Sequence, residues 1–185
     1  MTTRIAAPPE RVHLRPVAAA DLGALFEQQS DPEGARMAAV SPRSRADFDA
    51  HWTRLLTSPP PRLVLRAIEA DGAMVGTINC FQRAGLPEEG ATVGPDGAVV
   101  GELDYVGYWL AREHWGRGIA TRALAAILEE VTARPLHARA AASNVASIRV
   151  LLRCGFEVIG YRQAPDEGAR FPACEEALLR LGERP

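Results

Sequence analysis

The stretch from Gly101 to Val131, GELDYVGYWLAREHWGRGIATRALAAILEEV, changes its hydrophobic period once, and that change constrains the fold. Leu103, Tyr105, Gly107 and Trp109 alternate with Asp104, Val106, Tyr108 and Leu110, the period of two of an extended strand. Polarity then jumps at Arg112-Glu113-His114, and glycines follow at Gly116 and Gly118. Beyond them Ile119, Ala120, Ala123, Leu124, Ile127, Leu128 and Val131 fall on one helical stripe, with Arg122, Glu129 and Glu130 opposite. The unit is strand, glycine turn, helix. Such a turn presents unpaired backbone N–H groups at the positive end of the helix dipole, which suits a phosphate or pyrophosphate.

Two common phosphate motifs fail. A P-loop needs Gly-Lys-Ser/Thr, and the chain contains no lysine. The dinucleotide fingerprint needs a third glycine where Thr121 stands, and its unit opens early, whereas this one opens late.

At 185 residues the chain reads as one domain over 1–185, with an Ala/Pro-rich loose arm at 1–10. A net charge of −2 and a pI near 6.1 favour neither nucleic acid nor an anionic membrane as partner. Cys80, Cys154 and Cys174 lack metal spacing and form no disulfide framework, so no metal is expected. No apolar run reaches about 18 residues, and a soluble, reducing, cytoplasmic setting is the expectation.

In chain order, Val12 to Pro16 reads as a strand stopped by its proline. Asp21 can cap a helix to about Gln29, Asp31-Pro32-Glu33-Gly34 is turn chemistry, and a second helix starts near Ser44. Residues 62–69 and 73–81 read as a hairpin about Asp71-Gly72. Residues 84–100 form a long polar loop, which in compact domains is usually functional or disordered. Then follow a strand at 136–142, a helix at 144–153 with Gly155 at its end, and strands at 156–161 and 174–181.

Two runs carry a resemblance. Gly107-Tyr108-Trp109-Leu110 with Trp115-Gly116-Arg117-Gly118-Ile119-Ala120-Thr121 resembles motif A of the GCN5-related N-acetyltransferases (GNAT), in the branch that acetylates ribosomal-protein N-termini. Asn144 to Leu151 with Cys154-Gly155-Phe156 is similar to motif B, N-x-x-S-x-x-x-L-x-x-x-G-F. The resemblance implies an α+β fold: a mixed, mostly antiparallel sheet of about seven strands between helices, splayed beside the strand at 102–111. It implies acetyl-CoA as cofactor and acetyl transfer to a primary amine, either a protein N-terminus or a small molecule. A non-catalytic acyl-CoA sensor on the same fold is the alternative, and a homodimer is left open.

The chemistry names candidates. Val106, Tyr108 and Leu110 offer backbone groups to a pantetheine arm, and an N–H near Tyr108 can polarise the thioester carbonyl. Trp115, Gly116, Arg117, Gly118, Ile119, Ala120 and Thr121 are candidates for the pyrophosphate, with Arg112 beside them; a plain tight turn is the alternative the surrounding run disfavours. Asn144 either contacts the cofactor or caps its helix. Many relatives place a tyrosine acid at the position of Leu151, which leaves Ser147 or a water to protonate the thiolate. An alkylamine with a pKa of about 10 must lose a proton. Glu102 and Asp104, at i and i+2 on one strand face, are candidate bases, or exposed strand-end charges.

Overall fold

The computed structural model describes residues 11–182, so the expected arm at 1–10 lies outside the described residues. The first strand, β1 (Val12–Pro16), leads through a short 3-10 turn into α1 (Leu22–Ser30). Next come α2 (Pro32–Ala38) and α3 (Arg45–Thr57). The hairpin partners are β2 (Val64–Ala70) and β3 (Ala73–Ala84). Their turn residues Asp71 and Gly72 both have positive φ, 51° and 84°. That is the backbone a two-residue turn needs to follow strand twist, and it favours Asp-Gly.

A small ribbon, β4 (Thr92–Val93) and β5 (Val99–Val100), lies inside the stretch expected to be loop. Then come β6 (Glu102–Leu110), α4 (Ile119–Glu130), β7 (Leu136–Ala141), α5 (Val145–Arg153), β8 (Glu157–Ala164) and β9 (Cys174–Leu181). The main sheet has seven strands in the order β1-β2-β3-β6-β7-β9-β8. Every pairing is antiparallel except β6 with β7. The mixed, mostly antiparallel sheet between helices is as expected.

The sheet separates two apolar clusters. On one face Leu25, Phe48 and Trp52, from α1 and α3, pack with Leu65 and Met74. On the other, Ile119, Leu124 and Ile127 of α4 and Leu151 of α5 pack on Ile68, Val75, Ile78 and Val106. Met74 and Val75 are neighbours that enter opposite clusters, as strand pleating requires. No helix among the described residues is long and apolar enough to cross a membrane.

Helix α2 was expected as a turn. Asp31 instead caps it, its Oδ1 accepting from the Gly34 N–H at 2.7 Å, and Pro32 occupies the first helical position. Both choices suit a helix start, since proline has no N–H to lose there. This extra helix carries the chain to Ala38 and Val40, at the rim of the site.

Candidate functional site

Strand β6 pairs with β3 along its whole length, from Glu102 opposite Ala84 to Leu110 opposite Gly76. With β7 it pairs only at Asp104 to Leu136 and Tyr105 to His137. Beyond that point the two strands part, and a cleft of about 320 Å³ opens between them, a volume within the range of small-molecule sites. Val106, Gly107 and Tyr108 form one wall, and Ala138 to Ala141 the other. Alanine at three of those four β7 positions leaves the gap unfilled.

Helix α5 closes one side of the cleft with Asn144, Ser147 and Leu151. Asn144 caps that helix, its Oδ1 accepting from the Ser147 N–H at 3.0 Å, while it also lines the cleft. The Tyr108 hydroxyl lies 2.8 Å from Ser147 Oγ and donates to the Ser147 carbonyl at 3.2 Å. Burial pushes the Tyr108 phenol up to about 12, against the Ser147 hydrogen bond, so it keeps its proton at neutral pH. The sequence reading assigned Tyr108 only a backbone role. Its i, i+2 relation to Val106 puts both side chains on one face of β6, and that was the available signal.

From the cleft β6 runs into the glycine turn. A 3-10 turn at Arg112–His114 precedes Trp115, whose indole Nε1 donates to the Leu110 carbonyl at 2.8 Å and folds the turn back on the strand. Leu110 does not line the cleft. Gly116 and Gly118 have φ of 74° and 73°, and a Cβ at either would meet nothing within 4 Å. Glycine is required there by backbone conformation. Gly118 is the N-cap of α4 and supplies no side-chain hydrogen bond, so the helix start is uncapped from within the described residues. Ile119 is buried in the core, which leaves only its backbone to face a ligand. Thr121 accepts at its carbonyl from the Cys154 thiol, and Arg117 donates to His114 Nδ1 at 3.1 Å. Arg112 is exposed, 3.9 Å from Asp31.

The structure does not bring Glu102 and Asp104 to the cleft. Parity places them on the face of Val106 and Tyr108, as expected, but further back along the strand. There Asp104 lies with Glu130 and Arg134 around Cys80, near the C-terminal end of α4.

A different carboxylate was missed. Glu89 sits inside the 84–100 excursion with its side chain wholly buried. It accepts from Arg139 Nε at 2.8 Å, Arg139 Nη2, the Tyr105 hydroxyl and the Leu86 N–H. Burial alone would raise its carboxyl, yet the hydrogen bonds from Arg139 and Tyr105 hold it below the usual range. It is thus ionised, and a poor base. Its effect is to fix Arg139, a cleft residue, and to pin the excursion to the sheet.

Residues 11–157 match the family model described as an acetyltransferase (GNAT) domain. No curated protein sequence matches the chain. Solved structures do. The Mycobacterium smegmatis RimJ in complex with CoA-disulfide is 22% identical with a TM-score of 0.67, over 92% of this chain and 81% of that one. RimL, a ribosomal L7/L12 alpha-N-protein acetyltransferase bound to coenzyme A, is 17% identical with a TM-score of 0.69, over 94% and 95%. AAC(6')-Ib, in complex with paromomycin and acetyl-CoA, is 19% identical with a TM-score of 0.68, over 94% of each chain.

Proposed function

Because the chain belongs to the GNAT acetyltransferase family, we propose that its cleft takes acetyl-CoA and passes the acetyl group to a primary amine by direct attack on the thioester. The observation that carries this reading is the parting of β6 from β7 after Tyr105, directly upstream of a helix start that no described residue caps. A strand edge without a partner offers backbone hydrogen bonds to an extended amide-bearing chain. A helix N-terminus reached through two positive-φ glycines offers N–H groups to phosphates. Residues with these two capacities, on one continuous strand and turn, fit acetyl-CoA. The RimJ, RimL and AAC(6')-Ib structures carry such ligands on the same fold.

The bound thioester supplies an activated acetyl carbon. At that carbon an N–C bond forms and the C–S bond breaks. The amine's proton leaves to water, and the sulfur departs as thiolate. Tyr108 and Ser147 form the polar pair at the cleft wall. A phenol at about 12 facing a thiol of pKa about 8.5 does not give up its proton. The pair therefore stabilises the leaving charge by hydrogen bonding, and the thiolate takes its proton from solvent. A hydrogen bond to a charged group contributes about 1.5–3 kcal/mol.

Steady-state thiol release with a panel of primary amines and N-terminal peptides tests this. Tyr108→Phe is expected to lower kcat by roughly 10- to 100-fold with acetyl-CoA affinity retained. The rate should rise with pH toward the amine's pKa, with the same shape in wild type and variant, because the phenol does not titrate in that range. A variant at full kcat would remove Tyr108 from the mechanism. A changed pH profile would make it a proton donor after all.

A further inference from the structure

We propose that the amine acceptor is anionic, a primary amine that also carries a carboxylate or phosphate, and that Arg43, Arg54 and Arg170 receive that group at the rim of the cleft. This rests on the reading of the cleft as an acetyl-transfer site and names the class of its acceptor.

Two segments meet at the rim. One is the link from α2 to α3 at residues 39–44, the other the β8–β9 connection at residues 165–173. They are tied by reciprocal hydrogen bonds. The Ser41 N–H donates to the Arg170 carbonyl at 2.8 Å, and Arg170 Nη1 donates to the Ser41 carbonyl at 3.0 Å. Arg170 also lies 5.3 Å from the centroid of the Phe171 ring, and Phe171 and Val40 line the cleft. Arg170 is therefore joined to the cleft wall, and Arg43 lies in the segment that Arg170 holds.

The charges there are unbalanced. Among the described residues, Arg15, Arg36, Arg45, Arg66, Arg139 and Arg162 each form an ion pair with a carboxylate. Arg43, Arg54 and Arg170 form none among the described residues, and Arg170 Nε is buried without a hydrogen-bond partner. Burial, then Arg54, lowers the Arg43 guanidinium, and Asp47 only partly offsets this. Burial, then Arg43, lowers Arg170. His51, with Arg54 Nη2 3.5 Å from its Nδ1, is driven down to about 4 by burial and by all three arginines. The four bases thus feel one another. Asp47 is engaged with the Ser44 hydroxyl, and of the two carboxylates lining the cleft Glu176 is paired with Arg162 while Glu167 shares the β8–β9 connection with Arg170. Arg43 and Arg170 are partly buried and Arg54 is exposed, and cations gathered without a paired carboxylate among the described residues repel one another. An incoming anion relieves this, and planar guanidinium groups bind carboxylate or phosphate in a forked geometry. A polycation such as a polyamine would be repelled.

The test uses the full chain with acetyl-CoA saturating and peptides labelled at their C-termini. One peptide carries two aspartates after its N-terminal residue, one carries asparagines instead, and one carries phosphoserine. Anisotropy gives affinity, and mass spectrometry gives acetylation. An acidic or phosphorylated peptide should bind at least tenfold more tightly than the asparagine peptide, and the better of the two identifies the anion. Arg54→Gln and Arg43→Gln should each remove most of that preference, with acetyl-CoA affinity unchanged. Arg54 is exposed, so its variant should fold. Equal binding of charged and neutral peptides, or a preference that survives both substitutions, would overturn the proposal. Arginine-dependent binding without acetylation of any peptide would instead contradict the transferase reading and leave the anion site standing.

Discussion

Glu89→Ala is expected to destabilise the protein by about 3–5 kcal/mol, the cost of stranding a buried charge. The wild-type carboxylate takes both Arg139 nitrogens, the Tyr105 hydroxyl and the Leu86 amide. Arg139 has 7% of its side chain exposed, so water replaces the lost partner poorly and only from the cleft side. For a chain of this length Tm should fall by on the order of 10 °C. The excursion at 84–100 should loosen with it, since Glu89 is its buried anchor. The double variant Glu89→Leu, Arg139→Met should recover much of the loss, because replacing both members by apolar groups leaves no unpaired charge. The sign with pH follows from the carboxyl's lowered pKa. Its contribution is fully present above the ordinary value of 4.5 and is lost as pH falls through the depressed folded value. Chemical denaturation at pH 7 checks this, and a loss below about 1 kcal/mol would show that Arg139 finds another partner.

Gly118→Glu should weaken acetyl-CoA binding by more than 100-fold, an effect above about 2.7 kcal/mol. The substituted carboxylate sits at the start of α4, where it occupies the anion position and repels a pyrophosphate. The residue also has φ of 73°, a strained region for a side chain, costing about 1–2 kcal/mol. Space is not the obstacle, since a Cβ there meets no atom within 4 Å, and the variant should fold. Gly118→Ala separates the two causes. It carries the same backbone strain without the charge and should lose far less affinity. Calorimetry with folded Gly118→Glu at wild-type affinity would show that the turn does not hold the phosphates.

Local patterns made much of this legible. The period change at Gly116 to Gly118 located strand, turn and α4. Ser44 announced α3, and its side chain does accept from the Asp47 N–H. Asp71-Gly72 announced the β2–β3 hairpin. Helix α2 was readable too, because Asp31-Pro32 is a cap followed by a first-turn proline, but the same residues also suit a turn. What failed depended on distance in the sequence. Leu86-Pro87-Glu88-Glu89-Gly90 looks like a solvated loop, and partners 16 and 50 residues on make Glu89 a core residue. The arginine cluster likewise joins residues more than 100 positions apart, Ser41 with Arg170. Glu102 and Asp104 show the limit of periodicity. Alternation gave the correct face of β6 but not the depth along the strand at which β7 parts from it.

The direct route of transfer is the central claim, and a deuterated acetyl group follows it. Protein, deuterated acetyl-CoA and the amine panel are incubated together, and intact protein and amines are then weighed by mass spectrometry. The label is expected on the nitrogen of a primary amine, with the protein's mass unchanged throughout. Cys154 is the thiol beside α4, and burial raises its pKa, so it should take no label. Acetyl appearing first on the protein, or acetyl-CoA that binds tightly yet transfers to no amine, would contradict the account.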